Sequence, residues 1–231
     1  MAKASASFSD LPVELKLEIL RYRLLIPKPL TAMSHHSHSR RLLLPLALTN
    51  KDLNNLACVV YYGENHFVVT RKRNYLHGAS SLPFSYPNPA IGMWVRSLEV
   101  HFKVQDVVSS AGCGPSDHAD ETNEWRYLFD RPGDRADYTN WQRCFPKLDN
   151  LKVVLDFAPL RGGCLNKRLA RMLVVMADLP IAIRAREVEV EVKNLDCADE
   201  EQSEARFGNA LQCGHACEDR VLRMIQSKFP A

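Results

Sequence analysis

A chain of 231 residues with 46% apolar and 25% charged side chains has the composition of an ordinary globular protein, long enough for one large domain or a small module joined to a larger one. Its net charge of +3, with acids mixed among the Lys and Arg, excludes a nucleic-acid partner held by bulk charge. The longest apolar runs, such as Leu42 to Leu48, are too short for a membrane span, and the start of the chain carries no secretory h-region.

The first predicted element is a helix from Pro12 to about Leu25. Ser9 and Asp10 are placed to cap its first turn, and Pro12 sits just inside, where a missing N–H is harmless. Glu14 favours the positive helix end. Val13, Leu17, Leu20 and Leu24 recur at helical spacing, and Leu15, Ile19 and Tyr22 add a second row. A stripe that wide needs more than one surface to bury it. Pro27 and Pro29 end the helix.

Residues 26–41 read as a flexible polar connector. A second helix begins near Pro45 with Leu46, Leu53, Leu56, Ala57 and Val60 on one face, and Gly63 is expected to close it as a left-handed cap. His66 to Val69 reads as a short strand. Three prolines, two glycines and several serines between 77 and 92 mark a boundary. The organisation that follows is a helical module over 8–70 and a second domain over 92–231.

In that second part Leu98, Val100, Phe102 and Val104 alternate with polar residues, which predicts a half-buried strand. Residues 105–122 read as irregular and Glu121 to Phe129 as a short helix. A turn at Phe145-Pro146 feeds a buried strand ending at Phe157, and Asn166 to Ala177 reads as a helix. Arg186 to Lys193 is the cleanest strand pattern in the chain. A helical segment from about Glu201 to Lys228, with a break at Gly214, completes the series. Strands alternating with helices imply a mainly parallel sheet, so the expected fold class is α+β: N-terminal helices followed by a small α/β domain.

Leu11-Pro12-x-Glu14-Leu15 followed by Ile19-Leu20 resembles the opening of an F-box, the helical module that docks on a Skp-family adaptor. In the second half of that module Lys51 matches, Asn50 stands where Cys is common, and Leu53 stands where Trp is common. Tyr61 to Phe67 is similar to a run in F-box-like proteins of filamentous fungi. The resemblance covers about the first seventy residues. It implies adaptor docking through Leu11, Pro12, Leu15, Ile19, Leu20 and Leu53, with a cullin scaffold beyond the adaptor. The run from Phe145 to Phe157 also resembles a strand unit of leucine-rich repeats, although the candidate units are too unevenly spaced for an array.

Candidate chemistry is sparse. Cys213, His215 and Cys217 are the best metal-like cluster, but a structural zinc needs a fourth ligand, and Cys197 is the only one nearby. His35, His36 and His38 lie in the connector, where nothing positions the imidazoles. Glu187, Glu189 and Glu191 read as a solvated strand face with Val188, Val190 and Val192 toward the core. Arg71, Lys72 and Arg73 read as an exposed loop. Seven cysteines without a disulfide framework favour reduced thiols in the cytosol or nucleus. No nucleophile elbow, phosphate loop or dinucleotide fingerprint occurs, so no catalytic residue, cofactor or metal is assigned.

The expectation is a non-catalytic, F-box-like receptor that recruits a protein target, as yet unidentified, to a cullin-based ubiquitin ligase, with neither nucleic acid nor membrane as partner. The alternative is a single-domain α/β protein without adaptor binding, acting as a small enzyme or ligand-binding protein with a pocket at the C-terminal ends of the strands.

Overall fold

A computed structural model describes residues 8–70, 89–104, 128, 140–157, 181, 183–194 and 216–229. A 3-10 turn at Phe8–Asp10 precedes helix α1, Val13–Leu24. Ser9 and Asp10 therefore lie ahead of the helix, and Pro12 occupies the cap position with no side chain bonded to the first turn. Leu20 and Leu24 of α1 are buried, which sets the inward face of the helix.

Residues 26–41 are not an irregular connector. Leu30 is fully buried and pairs with Phe67 as an isolated parallel bridge. Thr31 and Ser34 form a capping box that starts α2, Ala32–His38. A π-helical segment, Ser39–Leu43, links α2 to α3, Leu44–Ala47. The wide turn has a local cause. Pro45 has no N–H to offer Arg41, and the helix opens so that the Leu44 N–H reaches Ser39 O instead. The Ser/His/Pro composition concealed this, because capping and one buried leucine act through geometry that composition does not carry.

Helix α4, Lys51–Glu64, starts on Asn50, whose Oδ1 accepts from the Leu53 N–H at 2.7 Å. Ala57 and Val60 are buried, with Leu53 and Leu56 partly buried against them. Gly63 does not cap this helix, because α4 continues through it to Glu64 and the capping residue is Asn65 at φ −87°. The stop comes from Asn65, not from a left-handed glycine.

Among the described residues four strands follow: β1, His66–Thr70; β2, Ser97–Val104; β3, Asn150–Phe157; and β4, Glu187–Lys193. A one-turn helix α5, Pro89–Gly92, lies before β2, and a 3-10 turn at Asn140–Cys144 lies before β3. All neighbours are parallel and the spatial order is β1-β2-β3-β4. Helix α6, Ala216–Lys228, contributes Val221 and Ile225 to the core. The fold is α+β, with N-terminal helices leading into a small parallel sheet.

Register sorts the sheet into two faces, since side chains alternate along each strand. On one face Phe67, Leu98, Leu151 and Val188 align, followed by Val69, Val100, Val153 and Val190. This face meets Leu20, Leu24, Leu30, Ala57, Val60 and Tyr61 in a single buried cluster, so the helices and the sheet share one core. The other face aligns His66, Ser97, Asn150 and Glu187, then Val68, Glu99, Lys152 and Glu189.

The expected elements at 105–122, 121–127 and 166–177, the tripeptide at 71–73, and the region from 201 to 215 with Cys213 and His215 lie outside the described residues, as does Cys197. Most of the 77–92 boundary does too.

Candidate functional site

Among the described residues two surfaces carry candidate chemistry. The first is the outer side of α1. Leu15, Ile19 and Tyr22 are 47%, 48% and 96% exposed, and their spacing places them in one row along the helix. Val13 and Leu25 are exposed as well. The inward row differs by one register: Leu20 is 3% exposed and Leu24 is fully buried, with Leu17 packed against the same core. Apart from Val13, exposed at the start of the helix, the two apolar rows read in the sequence therefore separate, one into the core and one into solvent.

The six residues of the F-box resemblance divide in the same way. Pro12, Leu15 and Ile19 are exposed and Leu11 is half-buried at the start of α1. Leu20 belongs to the core and has no surface to give a partner. Leu53 is half-buried in the first turn of α4 and packs against the core. Tyr22 is the most exposed large apolar residue of the row, and its i+7 spacing from Leu15 was the signal for it.

Helix α1 is held in place at its far end. The Arg21 Nε bonds both Glu64 carboxylate oxygens at 2.9 and 2.8 Å. Asn65, buried at the end of α4, accepts from the Ile26 N–H at 2.8 Å and donates to Leu24 O at 3.0 Å and Tyr61 O at 2.9 Å. These bonds satisfy carbonyls that both helix ends would leave unpaired.

Helix α2 presses His35 onto an aromatic group. Its ring centroid lies 6.0 Å from Tyr61, 5.8 Å from Tyr62 and 6.0 Å from Phe67. Nε2 stands 3.4 Å from the Tyr62 hydroxyl. Burial pulls the His35 pKa below its ordinary value, and repulsion from His36 and His38 adds to that. Burial likewise pushes the Tyr62 phenol up to about 12. The imidazole that the sequence left unpositioned is therefore a packed, neutral ring. His38 Nδ1 is 2.6 Å from Ser34 O within the same helix, and His36 faces outward.

The second surface is the polar sheet face, which the sequence pattern resolved for β2 and β4 separately but not as one surface. His66 Nδ1 lies 2.7 Å from Ser97 Oγ, and its Nε2 lies 3.1 Å from Glu99 Oε2. His101 Nε2 approaches the other oxygen, Glu99 Oε1, at 2.5 Å. Burial alone would raise the Glu99 pKa, but hydrogen bonds from His66 and His101 outweigh it and hold the carboxyl below its usual value. An ionised Glu99 fixes both tautomers, with each Nε2 as the donor.

The order Ser97, His66, Glu99 has the connectivity of a nucleophile, base and orienting carboxylate. Among the described residues the other half of acyl-transfer chemistry is not assembled. Backbone N–H groups of the ladder lie in the sheet plane, bonded to neighbouring strands, and none of them rises over this face to stabilise an oxyanion. The hydrogen-bonded chain ties β1 to β2 and stiffens the polar face.

Toward β4 that face becomes ionic. Lys152 Nζ lies 2.7 Å from Glu191 Oε2 and 3.3 Å from Glu189 Oε1. The Lys152 ammonium, then Lys193, holds Glu191 below the usual carboxylate range. A cavity of about 380 Å³ opens where the strands begin, lined by His66, Ser97, Asn150, Lys152, Glu187 and Glu189 among others. It lies at the N-terminal ends of the strands, opposite to the end where open α/β sheets usually bind ligands.

Among the described residues no group of three His, Cys, Asp or Glu side chains is placed to hold a metal ion. None of the described helices is long and apolar enough to cross a membrane. Comparison with known protein families, with curated proteins and with solved structures gave no match.

Proposed function

We propose that this chain is an F-box-like receptor, docking a Skp-family adaptor through α1 and presenting the sheet to a protein that the cullin-based ligase modifies. The observation that supports the reading most directly is the exposed row Leu15, Ile19 and Tyr22, beside Leu11 and Pro12 at the start of the same helix. A continuous apolar row in solvent, on a helix already anchored by its opposite face, is the signature of a partner surface. The mechanism is recruitment, and the chain performs no bond chemistry. Leu11, Pro12, Leu15 and Ile19 make the contact together with Tyr22, while Leu20 and Leu53 support the helices from within.

The test is calorimetric titration of the full chain with a purified Skp-family adaptor. Wild-type protein binds at micromolar concentration or tighter, and Leu15→Asp with Ile19→Asp abolishes binding, because a carboxylate in an apolar contact costs several kcal/mol, ~2–7 on transfer scales for a polar group alone. Wild-type protein without measurable adaptor binding overturns the reading.

A second reading has one observation in its favour. The helices share a single buried cluster with the sheet, and Leu30 extends β1 at its edge. That is the arrangement of an α/β protein whose helices serve its own core. The same titration separates the two readings.

A further inference from the structure

The backbone of β4 divides its hydrogen-bonding groups in a regular way. The Glu187 N–H donates to Asp149 O at 2.8 Å, and Glu187 stands in register with Asn150. In a parallel ladder a residue directs its N–H and its C=O to the same side, and successive residues alternate sides. Glu187, Glu189 and Glu191 are therefore bonded to β3, while Val188, Val190 and Val192 turn their N–H and C=O groups outward. Among the described residues no strand pairs with that outer edge.

Side chains repeat the message. Val100 and Val153, at the same level in β2 and β3, are fully buried, whereas Val188, Val190 and Val192 are only partly covered. The apolar face of the sheet is thus fully covered through β3 and only partly covered beside β4, where the three valines pack against the edge of the core. On the opposite face Glu187 and Glu189 are exposed, and the cavity begins beside them. Lys152 on the β3 side already shows the ion pairing that this row accepts, bridging Glu189 and Glu191.

We propose that the outer edge of β4 binds an extended peptide segment in which Lys or Arg alternates with apolar residues, adding a fifth strand to the sheet. The outward N–H and C=O groups of Val188, Val190 and Val192 form the new ladder. The apolar residues of the segment cover those three valines, and its basic residues face Glu187, Glu189 and Glu191, with the first entering the cavity. Cross-strand pairs of opposite charge favour this arrangement. A second copy of the chain fits less well, because antiparallel pairing centred on Val190 sets Glu189 against Glu191 twice. Glu187 against Lys193 gives compensating pairs at the strand ends, whereas a basic segment offers attraction at every position. The proposal deepens the receptor reading by naming the class of segment recruited, and it rests on that reading only for its purpose in the cell.

The experiment uses the full chain without adaptor, so its outcome is independent of docking through α1. A fluorescently labelled heptapeptide alternating lysine and valine is titrated and followed by anisotropy. Controls are a peptide with the lysines grouped together and one with glutamate for lysine. The alternating peptide binds at least about tenfold more tightly than either control, a difference of about 1.4 kcal/mol. Val190→Pro removes one outward N–H while sparing the bonds to β3, and it abolishes binding. Glu187→Lys with Glu189→Lys inverts the preference toward the glutamate peptide, and this readout stands if the proline variant fails to fold. Equal binding of all three peptides, no binding, or a self-associated dimer that Val190→Pro dissociates overturns the proposal.

Discussion

Asn65 donates from its buried Nδ2 to the carbonyl of Leu24, the last residue of α1, across 3.0 Å. The same nitrogen reaches Tyr61 O, and Oδ1 receives the Ile26 N–H. One amide thus closes two helix ends just before β1 starts, and it sets the position of α1 relative to the sheet.

Asn65→Ala leaves these backbone groups unpaired in the interior and costs roughly 1–3 kcal/mol for each buried group stranded. Asn65→Asp is at least as damaging, because both donated bonds disappear and a carboxylate then faces two carbonyl oxygens. Chemical denaturation of the two variants beside wild type measures this, with a loss below about 1 kcal/mol for either contradicting it.

Two glycines separate by the space around them. A Cβ on Gly92 would stand 1.9 Å from the Cys144 carbonyl oxygen, so backbone must shift. Gly92→Ala should destabilise by roughly 1–3 kcal/mol. A Cβ on Gly63 would lie 3.6 Å from Trp94 O, an ordinary contact inside a helix. Gly63→Ala should stabilise by about 0.5–1 kcal/mol. Thermal melts of both variants read opposite signs.

The His35 ring gives a pH dependence with a definite sign. Its folded pKa is depressed below the ordinary 6.5, so the unfolded chain binds the proton more readily. The corresponding stability is present above the unfolded value and is lost as pH falls from there through the folded value. Glu99, also depressed, loses its share at lower pH, below the ordinary carboxylate value of 4.5. His35→Phe should flatten the change in melting temperature just below the ordinary histidine value while leaving the more acidic loss in place. An unchanged profile in that variant would assign the effect to other groups.

The two rows of α1 also make a contrast in stability. Leu20→Ala removes a fully packed side chain and should cost about 2–5 kcal/mol. Leu15→Asp with Ile19→Asp alters exposed positions and should stay within about 1 kcal/mol of wild type. Denaturant titrations distinguish them, and comparable losses would show that the outer row is also packed.

What the sequence determined by itself is what depends on local pattern. The alternation around Val100 and Val190 specified β2 and β4 to within a residue or so, because period two admits one register of faces. The mostly apolar stretch after the turn at Phe145 placed β3 by its end at Phe157. Helix α1 was legible from its spacing, and the parallel sheet followed from the alternation of strands with helices. The helix expected from near Pro45 instead splits, because Asn50 caps a new start at Lys51 after the short α3. Which of two apolar rows on α1 turns inward was not legible, since both have helical period and only the position of α4 and Asn65 selects Leu20 and Leu24 over Leu15 and Ile19. Helix α2 was hidden because its stability comes from Leu30 on β1 and His35 on the tyrosines, contacts made across long sequence separations. The chain of Ser97, His66, Glu99 and His101 was equally invisible, since it exists only when β1 and β2 pair with His66 opposite Ser97. Local patterns set the elements, and burial against distant partners decided which of their faces meet solvent.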